Sequence, residues 1–217
     1  MVNMRKFDRW LSKIDRKFGR YAIRNLMLYI VLGQGVVLSF TLVLSINVSH
    51  FLNFYLPAIR DGQVWRLFSF ILIPLSFSPF FAILTMYFSW LIGSHLENEW
   101  GALKFNLFYF LGIVGAVLGG LYTGFATNAY IHTSLLLAFA LLYPDYQILL
   151  LFILPAKVKY LGYFTSASLA IHFLRSSWTH RIAILISILN LILFFWPIFF
   201  NRIRSWKRKR KWKRNFK

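Results

Sequence analysis

Cysteine is absent from the 217 residues, which excludes a disulfide framework, a thiol nucleophile and any Cys-based metal site. Acids are nearly as scarce, with six Asp or Glu against 25 Lys or Arg. Charged residues of both signs make up only 14% of a chain that is 59% hydrophobic, too few to cover a water-soluble domain of this size. The apolar surplus must therefore face lipid. The five histidines (His50, His95, His132, His172 and His180) are scattered, and no H-E-x-x-H motif occurs. The acids fall outside the apolar runs, so aspartyl-type proteolysis and carboxylate-driven proton coupling lose their chemistry. No metal and no cofactor is expected. No small-residue cleavage site follows the basic N-terminal stretch, so the first apolar segment reads as a retained helix.

What is present is apolar sequence bracketed by positive charge. Residues 1–24 carry eight Lys or Arg and residues 202–217 carry ten, while the middle is nearly uncharged. A nucleic-acid-binding domain needs its cations on a folded polar surface, so charge placed like this reads first as membrane topology. Three regions follow: a basic amphipathic segment 1–25, a membrane domain 26–200 and a basic tail 201–217. In the first, Phe7, Trp10, Leu11, Ile14 and Phe18 recur at helical spacing among Lys, Arg and Asp, the pattern of a helix lying in the membrane interface.

The middle region predicts an all-α polytopic membrane protein with six transmembrane helices, at about 26–46, 79–95, 102–122, 128–143, 160–174 and 182–200. Pro74 and Pro79 break the long apolar run before the second span. Gly112, Gly115, Gly119 and Gly120 let neighbouring backbones approach the third. Pro144 and Asp145 end the fourth, and LFILPAKVKYLG reads as an apolar segment tucked at the cytoplasmic interface. Under this layout 21 basic residues lie on one side and four on the other, which puts both termini in the cytoplasm of a cell with a bacterial-type plasma membrane.

Polar side chains in or near these spans include Gln34, Thr85, Ser89, Asn128, His132, Thr133, Ser134, Thr165, Ser166, Ser168, His172, Ser187 and Asn190. Each is accounted for by an interhelical hydrogen bond, and the His132-Thr133-Ser134 run is the one that also suggests chemistry. The tail sets Lys207, Arg208, Lys209, Arg210, Lys211, Trp212, Lys213 and Arg214 side by side. Anionic headgroups are its simplest partner, at about 1 kcal/mol per basic residue. RNA, ribosomal RNA included, is the sharper alternative, because cations alternate with stacking rings.

Several motifs resemble those of the rhomboid superfamily, over about residues 62–187. Gly62, Gln63, Trp65, Arg66 and Leu67 resemble G-Q-x-W-R-L in the first external loop, and Gly93, Glu97 and Gly101 resemble G-x-x-x-E-x-x-x-G between spans two and three. The resemblance implies a six-helix fold shared by intramembrane serine proteases, their inactive relatives and derlin-like proteins. It also implies where a catalytic site would stand, and there this chain departs from the pattern. Asn128, Ala129 and Tyr130 occupy the region of the nucleophile motif G-x-S-G, and Phe81 and Thr85 stand where His and Asn would bind an oxyanion.

The expectation is a pseudoprotease: a non-proteolytic rhomboid-like protein that binds transmembrane segments of client proteins, in membrane-protein quality control or assembly. The enzymatic alternative is an intramembrane serine protease with a divergent site drawn from Ser134, His180 and His132. A small-solute transporter or channel is the third class, and it requires a polar stripe that the spans lack.

Overall fold

The computed structural model describes residues 19–150, 154–176, 178, 181–182, 184–185 and 189–195. After a 3-10 turn at Gly19–Tyr21, helix α1 covers Leu26–Val43. Short helices α2 (Ser49–Leu52), α3 (Leu56–Arg60) and α4 (Arg66–Ser69) carry the chain through a long connection to a second 3-10 turn at Phe70–Leu72. Helices α5 (Pro79–Trp100), α6 (Ala102–Thr123) and α7 (Ala129–Leu142) follow. Strands β1 (Gln147–Leu150) and β2 (Leu154–Lys157) lead into α8 (Val158–Arg175).

Local chemistry explains the boundaries. Pro79 opens α5, where its missing N–H costs nothing. Gly101 alone joins α5 to α6 and holds φ at +84°, a conformation that an L side chain resists. Gly124 ends α6 at φ +80° with its N–H bonded to the Gly120 carbonyl. The strands pair antiparallel, Gln147 opposite Lys157 and Leu149 opposite Pro155. A two-stranded ladder has only edges, so Pro155 is tolerated there.

Apolar residues line both the inside and the outside of the helices. Met27, Ile30, Leu96, Phe105, Phe108, Tyr109, Leu135 and Phe139 form one buried cluster, while Leu32, Val36, Ile83, Phe110 and Leu118 stand exposed. Helices apolar all round belong in lipid. Close approaches replace the hydrophobic drive that lipid does not supply. A Cβ on Gly162 would stand 2.7 Å from the Ala140 Cβ, so α8 rides directly on α7. Helical residues 189–195 pack on α6, where the Asn190 amide donates to the Phe108 carbonyl at 3.2 Å.

Three corrections to the sequence expectation follow. The fold is not all-α, because Gln147–Leu150 pairs with Leu154–Lys157, the latter within the stretch expected to be an interfacial segment, as the β1–β2 hairpin. Lys159 donates to Asp145 at 3.1 Å at its base, and this bond holds the Asp145 carboxyl below the usual range. Nor are six spans present among the described residues. Among the described residues only three helical stretches, Gly19–Val43, Pro79–Trp100 and Ala102–Thr123, are long and apolar enough to cross a membrane, and in that coarse sense the chain is a membrane protein. Helix α7 has only 14 residues, roughly 21 Å against a hydrocarbon core of about 30 Å. Helix α8 has the length but carries Lys159, Thr165, Ser166, Ser168, His172 and Arg175. The expected sixth span is described only in part, and residues 1–18 and 201–217, with the interfacial helix and the basic tail, lie outside the described residues. The third concerns the second span, expected to end at about 95: α5 runs on to Trp100, so Glu97 and Glu99 lie within the helix rather than beyond it.

Candidate functional site

The residues of the two motifs build scaffold. Gly62 turns the chain at φ +96°, and buried Arg66 reaches back from α4. Its Nη1 donates to the carbonyls of His50 at 2.8 Å and Asn53 at 3.0 Å, and its Nε donates to Gln63 Oε1 at 2.7 Å. The Trp65 indole N–H adds a bond to the Phe51 carbonyl at 3.3 Å. One guanidinium thus ties off carbonyls at the end of α2 that would otherwise face the membrane unpaired. At the other motif, buried Glu97 accepts the Asn25 backbone N–H through Oε1 at 2.7 Å, which fixes the start of α1 against α5. Gly93 lets Met27 of α1 lie on α5: a Cβ there would be 2.5 Å from Met27 Cγ.

A different set of residues makes the polar site. Ser89 stands halfway along the 22 residues of α5, and His132 stands in the first turn of α7. Ser89 Oγ and His132 Nδ1 are 3.0 Å apart, and both side chains are buried. His132 Nε2 is buried without a hydrogen-bond partner among the described residues. Leaving such a group unsatisfied costs about 1–3 kcal/mol, and in lipid no water relieves it. The pair borders a cavity of about 240 Å³ between α5, α7, α8 and the hairpin. Its other walls are apolar, including Leu75, Ile92, Leu136, Ile148 and Leu161. Thr85 also lines it, with its hydroxyl donating to the Ala82 carbonyl at 3.0 Å.

Two buried amides hold one edge of this cavity. Gln34 of α1 donates to the Ile71 carbonyl at 3.0 Å, and Asn128 donates to the Ile73 carbonyl at 2.7 Å. Together they pin the segment before α5 that carries Leu75 to the cavity. Asn128, expected both as a hydrogen-bonding polar group and as a substituted catalytic position, thus acts as a latch. Ala129 and Tyr130 open α7, and Phe81 is exposed on α5.

The serine expected to matter is not brought to a histidine among the described residues. Ser134 Oγ donates to the Ile131 carbonyl at 2.8 Å, and two residues' separation on a helix puts His132 on another face. His180 lies outside the described residues, as do Lys207 through Arg214 of the tail. Ser89, the real partner of His132, is separated from it by 43 positions, and no local pattern couples them.

Chemically, the arrangement is the serine and histidine of a catalytic triad without an orienting third group among the described residues. A serine nucleophile needs a base whose second ring nitrogen is oriented by a third group, and His132 Nε2 has no such group among the described residues. No cluster of three or more potential metal ligands occurs among the described residues either. The arrangement is suited to hydrogen bonding inside an apolar cavity. Compared with known proteins, the chain matches no protein-family model and no curated protein, so the resemblance to rhomboid-type proteins rests on the motif residues alone.

Proposed function

We propose that this chain is a non-proteolytic, rhomboid-like membrane protein that binds transmembrane segments of other membrane proteins. The observation that carries the reading is the cavity beside Ser89 and His132, an apolar recess with one unpaired polar atom, bounded by a helix too short to span the bilayer. A polar side chain at mid-membrane is expensive and by default marks a functional site. A 14-residue helix thins the bilayer around it, which lowers the cost of admitting a client helix that is itself partly polar.

The test places a photo-crosslinking amino acid at Leu136 or Leu161, on the cavity wall, and at exposed Leu118 on α6. Native membranes are irradiated, and adducts with integral membrane proteins are expected from the cavity positions in at least fivefold excess over Leu118. Equal yields from all three positions would rule the reading out.

The Ser89–His132 bond favours one competing reading, hydrolysis with Ser89 as nucleophile and His132 Nδ1 receiving its proton. A fluorophosphonate probe separates the two. Labelling of the wild-type chain that disappears in Ser89→Ala supports the hydrolase, whereas no labelling of either supports binding alone.

On the binding reading, the basic ends lie in the cytoplasm of a bacterial-type plasma membrane and the tail engages anionic headgroups, which requires a crossing beyond the three long helices. The chain lacks cysteine, so single cysteines placed near residues 3 and 215 report topology without background. Both should resist an impermeant maleimide in intact cells and react after lysis. Reaction of either one in intact cells contradicts the assignment.

A further inference from the structure

We propose that the cavity beside Ser89 and His132 takes the side chain of one uncharged, hydrogen-bonding residue (Asn, Gln, Ser or Thr) of the partner transmembrane helix. The inference rests on the binding function above and names the chemistry that selects the client.

Three observations carry it. The first is the free atom: His132 Nε2 is buried and has no partner among the described residues, and Ser89 holds the ring by its other nitrogen at 3.0 Å. The ring is thereby oriented, but the bond is compatible with either tautomer, so Nε2 is a donor in one and an acceptor in the other. A hydroxyl or a carboxamide satisfies both cases. An ammonium only donates, and a carboxylate, when ionised, only accepts.

The second is the wall. Apart from Thr85, Ser89 and His132, the lining is made of Leu, Ile and Phe side chains. A charge carried into it finds no counter-charge and loses its hydration, so the selected group is neutral. The third is size. A cavity of roughly 150 Å³ is enough for benzene, and this one holds about 240 Å³. It takes a single side chain and leaves the partner's backbone outside, against Leu136 and Leu161.

The experiment uses the full chain in nanodiscs and leucine-rich transmembrane peptides of about 20 residues carrying a central Asn, Leu or Lys. Binding is read by energy transfer from a donor dye on the chain to an acceptor on the peptide. The Asn peptide is expected to bind about tenfold tighter than the Leu peptide, the scale of one interhelical hydrogen bond in lipid, and the Lys peptide should show no such gain. His132→Phe should erase the Asn advantage. Leu161→Trp, which fills the cavity from α8 and leaves the polar pair intact, should erase it too and serves where His132→Phe fails to fold.

Each other outcome counts against a definite part. If Asn and Leu peptides bind equally well, the selectivity is wrong and the binding function stands. If neither peptide binds, the binding function falls and the inference falls with it. If the Asn advantage survives both substitutions, the cavity is not its source, and if Lys matches Asn, the restriction to neutral groups is refuted.

Discussion

Replacing Arg66 with leucine is expected to lower stability by about 3 kcal/mol and to free the segment between α1 and α5. The guanidinium makes three hydrogen bonds, to His50 O, Asn53 O and Gln63 Oε1, and bonds from a charged donor contribute about 1.5–3 kcal/mol each. Water at the membrane interface recovers part of that, so the expected loss stays below the sum. The leucine leaves two backbone carbonyls without their donor in a loop lying against lipid. Lysine is expected to recover less than half of the loss, because a point-like ammonium cannot reach three acceptors arranged around a planar fork. Titration with SDS in mixed micelles, followed by tryptophan fluorescence, gives the stability. Limited proteolysis near Asp61 reports the loop. An Arg66→Leu chain within about 0.5 kcal/mol of wild type, with the loop still protected, would show that the clamp is incidental.

Gly93→Ala should destabilise by about 2 kcal/mol, and its sign is more informative than its size. In an exposed helix the same change stabilises, since alanine is the better helix former by about 1 kcal/mol. Here the new Cβ would fall 2.5 Å from Met27 Cγ and 2.6 Å from Met27 Cβ, so α1 and α5 must separate. Overpacking of this kind costs about 1–3 kcal/mol. In a Met27→Gly background the penalty should shrink below about 1 kcal/mol, because the colliding atoms are gone and the two changes share one contact. A stabilising Gly93→Ala in the wild-type background would mean that α1 does not lie on α5 as described.

These two expectations also separate what was legible from what was not. The starts of the long helices were readable because they depend on local chemistry, whereas the end of α5 at Trp100 was not. Pro79 has no N–H to place anywhere but a first turn, and Gly101 adopts a backbone angle that other residues resist. The functions of Arg66, Glu97 and Gly93 were not readable. Their spacing marks them as motif residues, yet only packing reveals that one seals a loop, one caps the entry to α1 and one admits a methionine. The six-span expectation failed at α7 and beyond, where apolar composition was taken for length. The chain there stops its helix at Leu142 and spends the next apolar residues on a hairpin, and composition does not distinguish a buried strand from part of a buried helix.

The candidate site was visible only in pieces. His132, Ser89 and Thr85 all stood out as polar groups in apolar surroundings, and the sequence drew attention to Ser134 because it stands in the same short run as His132. Adjacency on a helix is the wrong measure, since each residue turns the side chain by about 100°. Ser134 satisfies itself on the Ile131 carbonyl, while Ser89 arrives from another helix.

The amino-acid sequence alone determined the solvent: a chain with so few charges and no cysteine puts its apolar surface into lipid, and its glycines and prolines punctuate its long helices. Only the tertiary structure decided which polar groups meet. Two side chains 43 residues apart came within 3.0 Å because α5 and α7 pack against each other, leaving one nitrogen of His132 unpaired beside an apolar cavity. Composition and spacing act along the chain, whereas a site is a distance across it, set by the close packing of side chains from every neighbouring element.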